Sequence, residues 1–160
     1  MRCHLARTLP ALLVSLAGPA AAAGDPVFID GFAVEPPALS GITASQNVVR
    51  AGVGVAPLFW DERLAASAQS WVEQCVDVQA PAGLIDADPN RSVGYPWYVG
   101  ENIFGSSGNT CTGICSHYLQ VVWSSSVRIG CGTFNCPGLT FGNSLVCNYG
   151  PGGASGQRPY

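Results

Sequence analysis

The stretch "DERLAASAQSWVEQCV", residues 61–76, repeats apolar side chains at the three- and four-residue spacing of a helix. Asp61 precedes the first apolar position and carries the type of side chain that caps a helix N-terminus. We therefore predict a helix that begins after Asp61 and buries one face against the rest of the domain. The residues of that face are Leu64, Ala65, Ala68, Trp71, Val72 and Cys75.

The segments around this helix predict the fold class. Residues 43–52, "TASQNVVRAG", favour a short helix with Val48 and Val49 directed inward, whereas residues 80–100 are rich in Pro, Gly and Asp and predict a loop. After residue 117, "YLQVVW", "VRIGCGTF" and "LVCNY" are short and rich in β-branched and aromatic residues, which is typical of strands. Helices followed by consecutive strands predict an α+β domain with an antiparallel sheet.

The N-terminus has the pattern of a secretory signal. Residues 1–23 carry Arg2 and Arg7, then an apolar run, then small residues ending in "AAA". Residues 24–41 contain three prolines and no sustained period, so we expect an extended leader or linker before a domain at 42–160. No later apolar run has the length of a membrane span. We expect an extracellular protein, or a periplasmic one if the source has two membranes.

Removal of the signal would change the composition of the chain. It would leave five Arg and no Lys against ten Asp and Glu, a net charge of −5, which argues against a nucleic-acid partner. His117 would be the only histidine, and six cysteines would remain. An even number of cysteines in an exported chain predicts three disulfides, although spacing alone leaves the pairing open.

Two candidate site residues lie close in sequence: Glu101 and His117 are 16 positions apart. They could act as a general acid and base, hold part of a metal site, or tie a loop to the sheet structurally. The loop aromatics Tyr95, Trp97 and Tyr98 could either cover an edge of the core or contact a ligand.

Four blocks of the sequence together resemble the CAP superfamily of cysteine-rich secretory proteins, antigen 5 and pathogenesis-related 1 proteins, in particular a shortened bacterial member similar to pathogenesis-related protein 1. The resemblance covers residues 42–160 and implies a three-layer α-β-α sandwich. It also implies the disulfides Cys75–Cys136, Cys111–Cys115 and Cys131–Cys147. The blocks are "NVVRAGVGVAPLFWDERLAASAQSW", "GEN", "HYLQVVWSSSVRIGCGTFNC" and "LVCNYGPGGASGQRPY".

The resemblance also implies a cleft in which two His and two Glu bind a divalent metal in several members. Glu101 matches the first Glu and His117 the second His, while Ala87 aligns with the first His. The second Glu is absent together with the helix that carries it, since too few residues separate Glu101 from His117. We therefore expect a degenerate metal cleft and no cofactor, with Asp86 or Asp88 as the remaining candidates for a third ligand.

The missing helix leads to a functional expectation. It should expose apolar strand surface unless the "GYPWY" loop, residues 94–98, folds over it, and an exposed apolar groove favours a lipid or protein partner. We expect a monomeric, secreted, non-catalytic binding module for a lipid, a sterol or a protein. The alternatives are a secreted, protease-like hydrolase that uses Glu101 and His117, and a degenerate domain with no retained activity.

Overall fold

The structure is a computed structural model that describes residues 34–79, 83–107, 115–153 and 157–159. A short 3-10 helix, Pro37–Leu39, precedes the regular elements, and residues 83–99 are a loop without helix or strand, as predicted. The predicted signal lies outside the described residues. The helices and strands are α1 (Ile42–Gly52), β1 (Phe59–Trp60), α2 (Glu62–Val72), β2 (Gly100–Ser106), α3 (Cys115–Val121), β3 (Arg128–Asn135) and β4 (Asn143–Gly150).

The sheet has the strand order β1-β3-β4-β2. Strands β3, β4 and β2 are antiparallel, and β1 runs parallel to β3 over two residues. On one face Val146 packs with residues of α2, and on the other Ile129 and Tyr149 pack with Ile42 of α1. The three-layer α-β-α sandwich is thus confirmed. Within the described residues no helix is both long and apolar enough to span a membrane.

Helix α2 forms as predicted. The Asp61 carboxylate accepts hydrogen bonds from the backbone N–H groups of Arg63 and Leu64, both at 3.0 Å, and so caps the helix. The apolar face packs on β3 at Gly130 and Gly132, where a Cβ atom would collide with the helix backbone. Four residues of this face are buried, namely Leu64, Ala65, Ala68 and Val72.

Two disulfides fasten the sandwich. Cys75, just after α2, bonds to Cys136 at the end of β3, and Cys131 bonds to Cys147 across neighbouring strands. The third implied pair includes Cys111, which lies outside the described residues and stays a prediction. The expected loss of a helix before His117 stays a prediction too, because residues 108–114 lie outside the described part.

Helix α1 differs from its prediction in the face that it buries. The side chains of Val48 and Val49 are 74% and 41% exposed, whereas Arg50 is fully buried. The expectation that the valines point inward was wrong. Hydrophobicity alone does not predict that an arginine is buried when its polar atoms all have hydrogen-bond partners. Gln46 and Arg50, which lie four residues apart, occupy the inner face and form hydrogen bonds there.

The segment "YLQVVW" is another difference, since residues up to Val121 belong to helix α3 and not to a strand. Arg50 explains this result. Its guanidinium donates to the carbonyls of Val121 at 2.6 Å, Trp123 at 3.0 Å and Ser126 at 2.8 Å. A cation satisfies the free carbonyls at a helix C-terminus, so a tertiary contact outweighs the strand propensity of these residues.

Residues before α1 also join the folded domain. The Glu35 carboxylate accepts from the N–H groups of Gly41 and Thr43 at the start of α1. Leu39 is buried against the core beside Leu58 and Tyr149. The packed structure therefore begins before Ile42, within the stretch that the sequence analysis assigned to a leader.

The Arg50 contacts predict a large effect of substitution. Arg50→Met removes hydrogen bonds from a cation to buried carbonyls and should lower the free energy of unfolding by about 3 kcal/mol. The matched control is Arg128→Met, which removes the half-exposed ion pair with Asp61 and should cost less than about 1 kcal/mol. Urea denaturation measures both, and equal costs would contradict the role given to Arg50.

Candidate functional site

A cleft of about 510 Å³ lies beside β2, the outer strand of the sheet, between α3 and the loop before β2. Both sequence candidates, Glu101 and His117, line it. Its remaining lining residues come from the loop, β2, α3 with the segment just after it, and the C-terminal segment: Ala87, Arg91, Tyr98, Gly100, Asn102, Ile103, Leu119, Gln120, Trp123, Gly153 and Gln157.

Glu101 is held by the loop that precedes β2. Its two carboxylate oxygens lie 3.2 and 3.4 Å from the backbone nitrogen of Asp88, which donates to them. Burial raises the pKa of Glu101 to about 7, and this effect exceeds the lowering caused by the Arg91 charge and the Asp88 N–H group. Glu101 therefore exchanges its proton near neutral pH.

His117 reaches the cleft from α3. Burial lowers the pKa of its ring below the usual value, so the ring is neutral at pH 7. Asn102, the strand neighbour of Glu101, donates from Nδ2 to the His117 carbonyl at 3.0 Å. Because successive strand residues point to opposite faces, Glu101 and His117 approach the cleft from opposite sides of β2. Among the described residues, no hydrogen bond joins the Glu101 carboxylate to the His117 ring.

The residues present do not fit a metal ion. Ala87 lines the cleft where the resemblance placed the first His, and it offers no donor. The Asp88 carboxylate accepts from the N–H of Asn90 at 2.7 Å, and the Asp86 carboxylate accepts from the N–H groups of Val78 and Gln79. In the described part of the chain, no three His, Cys, Asp or Glu side chains converge. Glu101 and His117 remain as two ligands, fewer than a zinc site requires.

The loop aromatics separate into two groups. Tyr98 lines the cleft, and its hydroxyl accepts from Arg91 Nη2 at 2.7 Å. Tyr95 and Trp97 instead pack together with ring centroids 5.9 Å apart, and the guanidinium of Arg63 lies 4.5 Å from the centre of the Tyr95 ring. These two aromatics thus lie near the start of α2, and Tyr98 is the member of the loop trio that reaches the cleft.

A second cavity, of about 300 Å³, adjoins the cleft on the face of the sheet that carries α1 and α3. It shares Asn102, Ile103 and His117 with the cleft, so the two spaces meet at β2 and α3. We call it the apolar cavity, because hydrophobic side chains form most of its wall. Its other lining residues are Ile42, Gln46, Phe104, Val121, Leu145, Cys147 and Tyr149.

A chain of hydrogen bonds runs along the junction of the two cavities. Tyr149 donates from its hydroxyl to Gln46 Oε1 at 3.0 Å, and Asn102 Nδ2 donates to the Tyr149 hydroxyl at 3.1 Å. Burial raises the pKa of Tyr149 to about 12, so this hydroxyl keeps its proton. Asn102 and Tyr149 were not among the site residues predicted from the sequence. Their positions inside the segments "GEN" and "LVCNY" were the available signal.

Comparisons with known proteins agree on one family. The model of the CAP family, described as the cysteine-rich secretory protein family, matches residues 43–149. GLIPR1-like protein 1 of Mus musculus is 35% identical, and the match covers 85% of this chain and 65% of that protein. Pathogenesis-related protein 1 of Arabidopsis thaliana is 36% identical, with coverage of 71% and 77%. The chain thus spans about two thirds to three quarters of the length of these relatives.

Solved structures show the same fold. Venom allergen-like protein 4 of Schistosoma mansoni superposes with a TM-score of 0.54 at 27% identity, over 75% of this chain and 91% of that one. The crystal structure of NaASP2 with Zn²⁺ gives a TM-score of 0.56 at 21% identity, over 74% and 82% of the two chains. The second likeness concerns the fold alone.

The raised pKa of Glu101 predicts a pH dependence of stability. Between its ordinary pKa of 4.5 and about 7, the folded state binds more protons than the unfolded state, so this group lowers stability as pH rises. Glu101→Gln should remove this loss of stability. The variant should therefore be more stable than the wild type near pH 8, by about 3 kcal/mol at most. Urea denaturation across this pH range measures the difference. The control Glu62→Gln removes an exposed carboxylate, and an identical pH profile for both variants would contradict the assignment.

Two potential ligands, Glu101 and His117, are too few for zinc to stabilise the protein specifically. Excess zinc should leave the melting temperature of the wild type unchanged, because a two-ligand site gains little binding energy. Ala87→His adds a third donor to the same cleft and should make the melting temperature rise with zinc. Differential scanning fluorimetry checks both proteins. A zinc-dependent rise in the wild type that disappears in His117→Ala would contradict this reading.

Proposed function

The chain belongs to the CAP family of cysteine-rich secretory proteins, and from this premise we propose that it is an exported, non-catalytic domain that binds a lipid. The observation that carries the proposal is the apolar cavity, which adjoins the polar cleft and shares the lining residues Asn102, Ile103 and His117 with it. Cavities with an apolar wall and a few convergent polar groups are typical small-ligand sites.

Export is supported by the N-terminal pattern and by the family. Residues 1–23 have the charged, apolar and small-residue segments of a secretory signal. The domain is fastened by Cys75–Cys136 and Cys131–Cys147, and such bonds persist in oxidising compartments outside the cytosol. We therefore expect the mature protein outside the cytoplasm.

The geometry of the cleft favours binding over catalysis. A general base needs a partner or substrate proton within hydrogen-bond reach, and a nucleophile needs an adjacent base. Among the described residues, the Glu101 carboxylate accepts from the Asp88 N–H group, and no hydrogen bond joins it to the His117 ring. Within the described residues, Asn102 binds the backbone carbonyl of His117, and no side chain orients the ring as the Asp of a catalytic triad does.

A lipid suits the apolar cavity better than a protein surface does. Its wall is formed by strands β2 and β4 and by helices α1 and α3 on one side of the sheet. Ile42, Phe104 and Leu145 are among its apolar side chains. An alkyl chain can enter such a recess, whereas a stable protein interface uses a broad surface of about 800 Å² per partner. Transfer of the chain from water to this wall supplies the free energy of binding.

Lipid binding can be tested with two matched substitutions. Leu145→Glu places a carboxylate in the apolar cavity and should reduce binding of a hydrophobic dye at least about tenfold, because burying an unpaired charge is costly. Val48→Glu makes the same kind of change on the exposed side of α1 and should leave binding unchanged. Dye fluorescence titration and native mass spectrometry of the protein from its secreting host measure dye affinity and co-purified lipid.

The outcomes distinguish the proposal from its competitors. Absence of both dye binding and co-purified lipid in the wild type would overturn lipid binding. Ester or peptide hydrolysis that disappears in both Glu101→Gln and His117→Ala would overturn the non-catalytic assignment.

A further inference from the structure

The cleft and the apolar cavity adjoin each other and differ in chemistry, and we treat them as the two halves of one candidate site. The cleft presents charged and polar groups, including Glu101, Arg91 and Tyr98, whereas the apolar cavity presents hydrocarbon from Phe104 and Leu145. The halves meet where β2 and α3 contribute Asn102, Ile103 and His117 to both. A ligand that fills both halves must itself be amphiphilic.

The polar half carries balanced charge. The Arg91 guanidinium is already engaged, because it donates to the carbonyls of Asp88 and Val99 and to the Tyr98 hydroxyl. Glu101 lies in the same cleft with the opposite charge. The cleft therefore offers no free charge that could pair with an ionic head group of a ligand. A carboxylate head group would also lie near the Glu101 carboxylate, which repels it.

The same half contains groups that suit hydroxyls. Each Glu101 oxygen retains acceptor capacity beyond its bond from the Asp88 N–H group, and a carboxylate binds an O–H donor strongly. The Tyr98 hydroxyl accepts from Arg91 and keeps its own proton to donate. Tyr98 lines the cleft and is 49% exposed. A head group with more than one hydroxyl can both donate to Glu101 and accept from Tyr98.

The apolar half limits the size of the tail. Its volume of about 300 Å³ lies at the low end of the roughly 300–1,000 Å³ range of ligand pockets. A single flexible acyl chain suits this volume and its irregular wall better than a rigid polycyclic skeleton does.

We propose that the ligand is a single-chain amphiphile with an uncharged, hydroxylated head group, such as a monoacylglycerol. Its hydroxyls lie between Glu101 and Tyr98 in the cleft, and its acyl chain lies against Phe104 and Leu145 in the apolar cavity. In this proposal Glu101 selects the head group of the ligand and does not bind a metal ion. This assignment rests on the lipid-binding function proposed above and adds the orientation and the head-group chemistry.

The test compares two probes that share a tail and differ in the head, monolauroylglycerol and laurate. Their Kd values are measured by isothermal titration calorimetry with the wild type, at a pH above the Glu101 pKa of about 7. We expect tighter binding of monolauroylglycerol. Glu101→Gln should weaken monolauroylglycerol binding about tenfold, since a charge-assisted hydrogen bond is lost. The same variant should bind laurate as well as the wild type or more tightly, because it removes a repelling charge.

A second pair of variants tests the position of the tail. Leu145→Glu should weaken binding of monolauroylglycerol strongly, and the more conservative Phe104→Ser should weaken it to a smaller extent without placing a charge in the domain. The control Val48→Glu should match the wild type for both probes.

The possible results distinguish the head-group inference from the lipid-binding function on which it rests. Equal affinity for the two probes, or an equal effect of Glu101→Gln on both, would overturn the head-group assignment and leave lipid binding intact. Tighter binding of a sterol than of monolauroylglycerol would overturn the single-chain assignment alone. If none of these probes binds to the wild type, both proposals are overturned.

Discussion

Helix α2 lies directly on strand β3 because Gly130 and Gly132 leave room for its backbone. A Cβ atom at Gly130 would collide with Ala65, and one at Gly132 would collide with Gln69. Gln69 uses this proximity, since its side chain accepts from the Thr133 N–H group at 3.0 Å. Close approach of helix and sheet brings more apolar surface out of water and fixes the distance between two of the three layers.

The position of the site follows from this packing. With β3 and β4 covered by α2, strand β2 forms the outer edge of the sheet, where Glu101 and Asn102 point to opposite faces. One residue faces the loop that carries Asp88, and the other faces α3. The cleft is lined by α3 residues as well as by Glu101, so it follows the edge of β2, and the apolar cavity adjoins it on the face that carries α1 and α3. Glu101 and the backbone of His117 are held by these separate contacts.

Sequence reasoning predicted the elements whose apolar pattern matches their burial. Helix α2 is the clearest case, because its cap and its apolar stripe both lie in one continuous segment. Prediction from the sequence failed for α1 and α3 for a single physical reason. Arg50 is buried with its Nη groups donating to carbonyls more than 70 positions away in the chain, and no local pattern reports such partners. For the site, spacing and resemblance identified Glu101 and His117. The cross-strand partners Asn102 and Tyr149 require the sheet register.

We propose that the cleft and the apolar cavity form one site for an amphiphile and that Glu101 and His117 do not bind a metal ion. A crystal structure of the protein grown with monolauroylglycerol and zinc tests this claim most directly. We expect the acyl chain beside Phe104 and Leu145, the hydroxyls at Glu101, and no zinc ion bound by Glu101 and His117. A zinc ion held by these two residues, or a lipid bound at a surface away from β2, would contradict it.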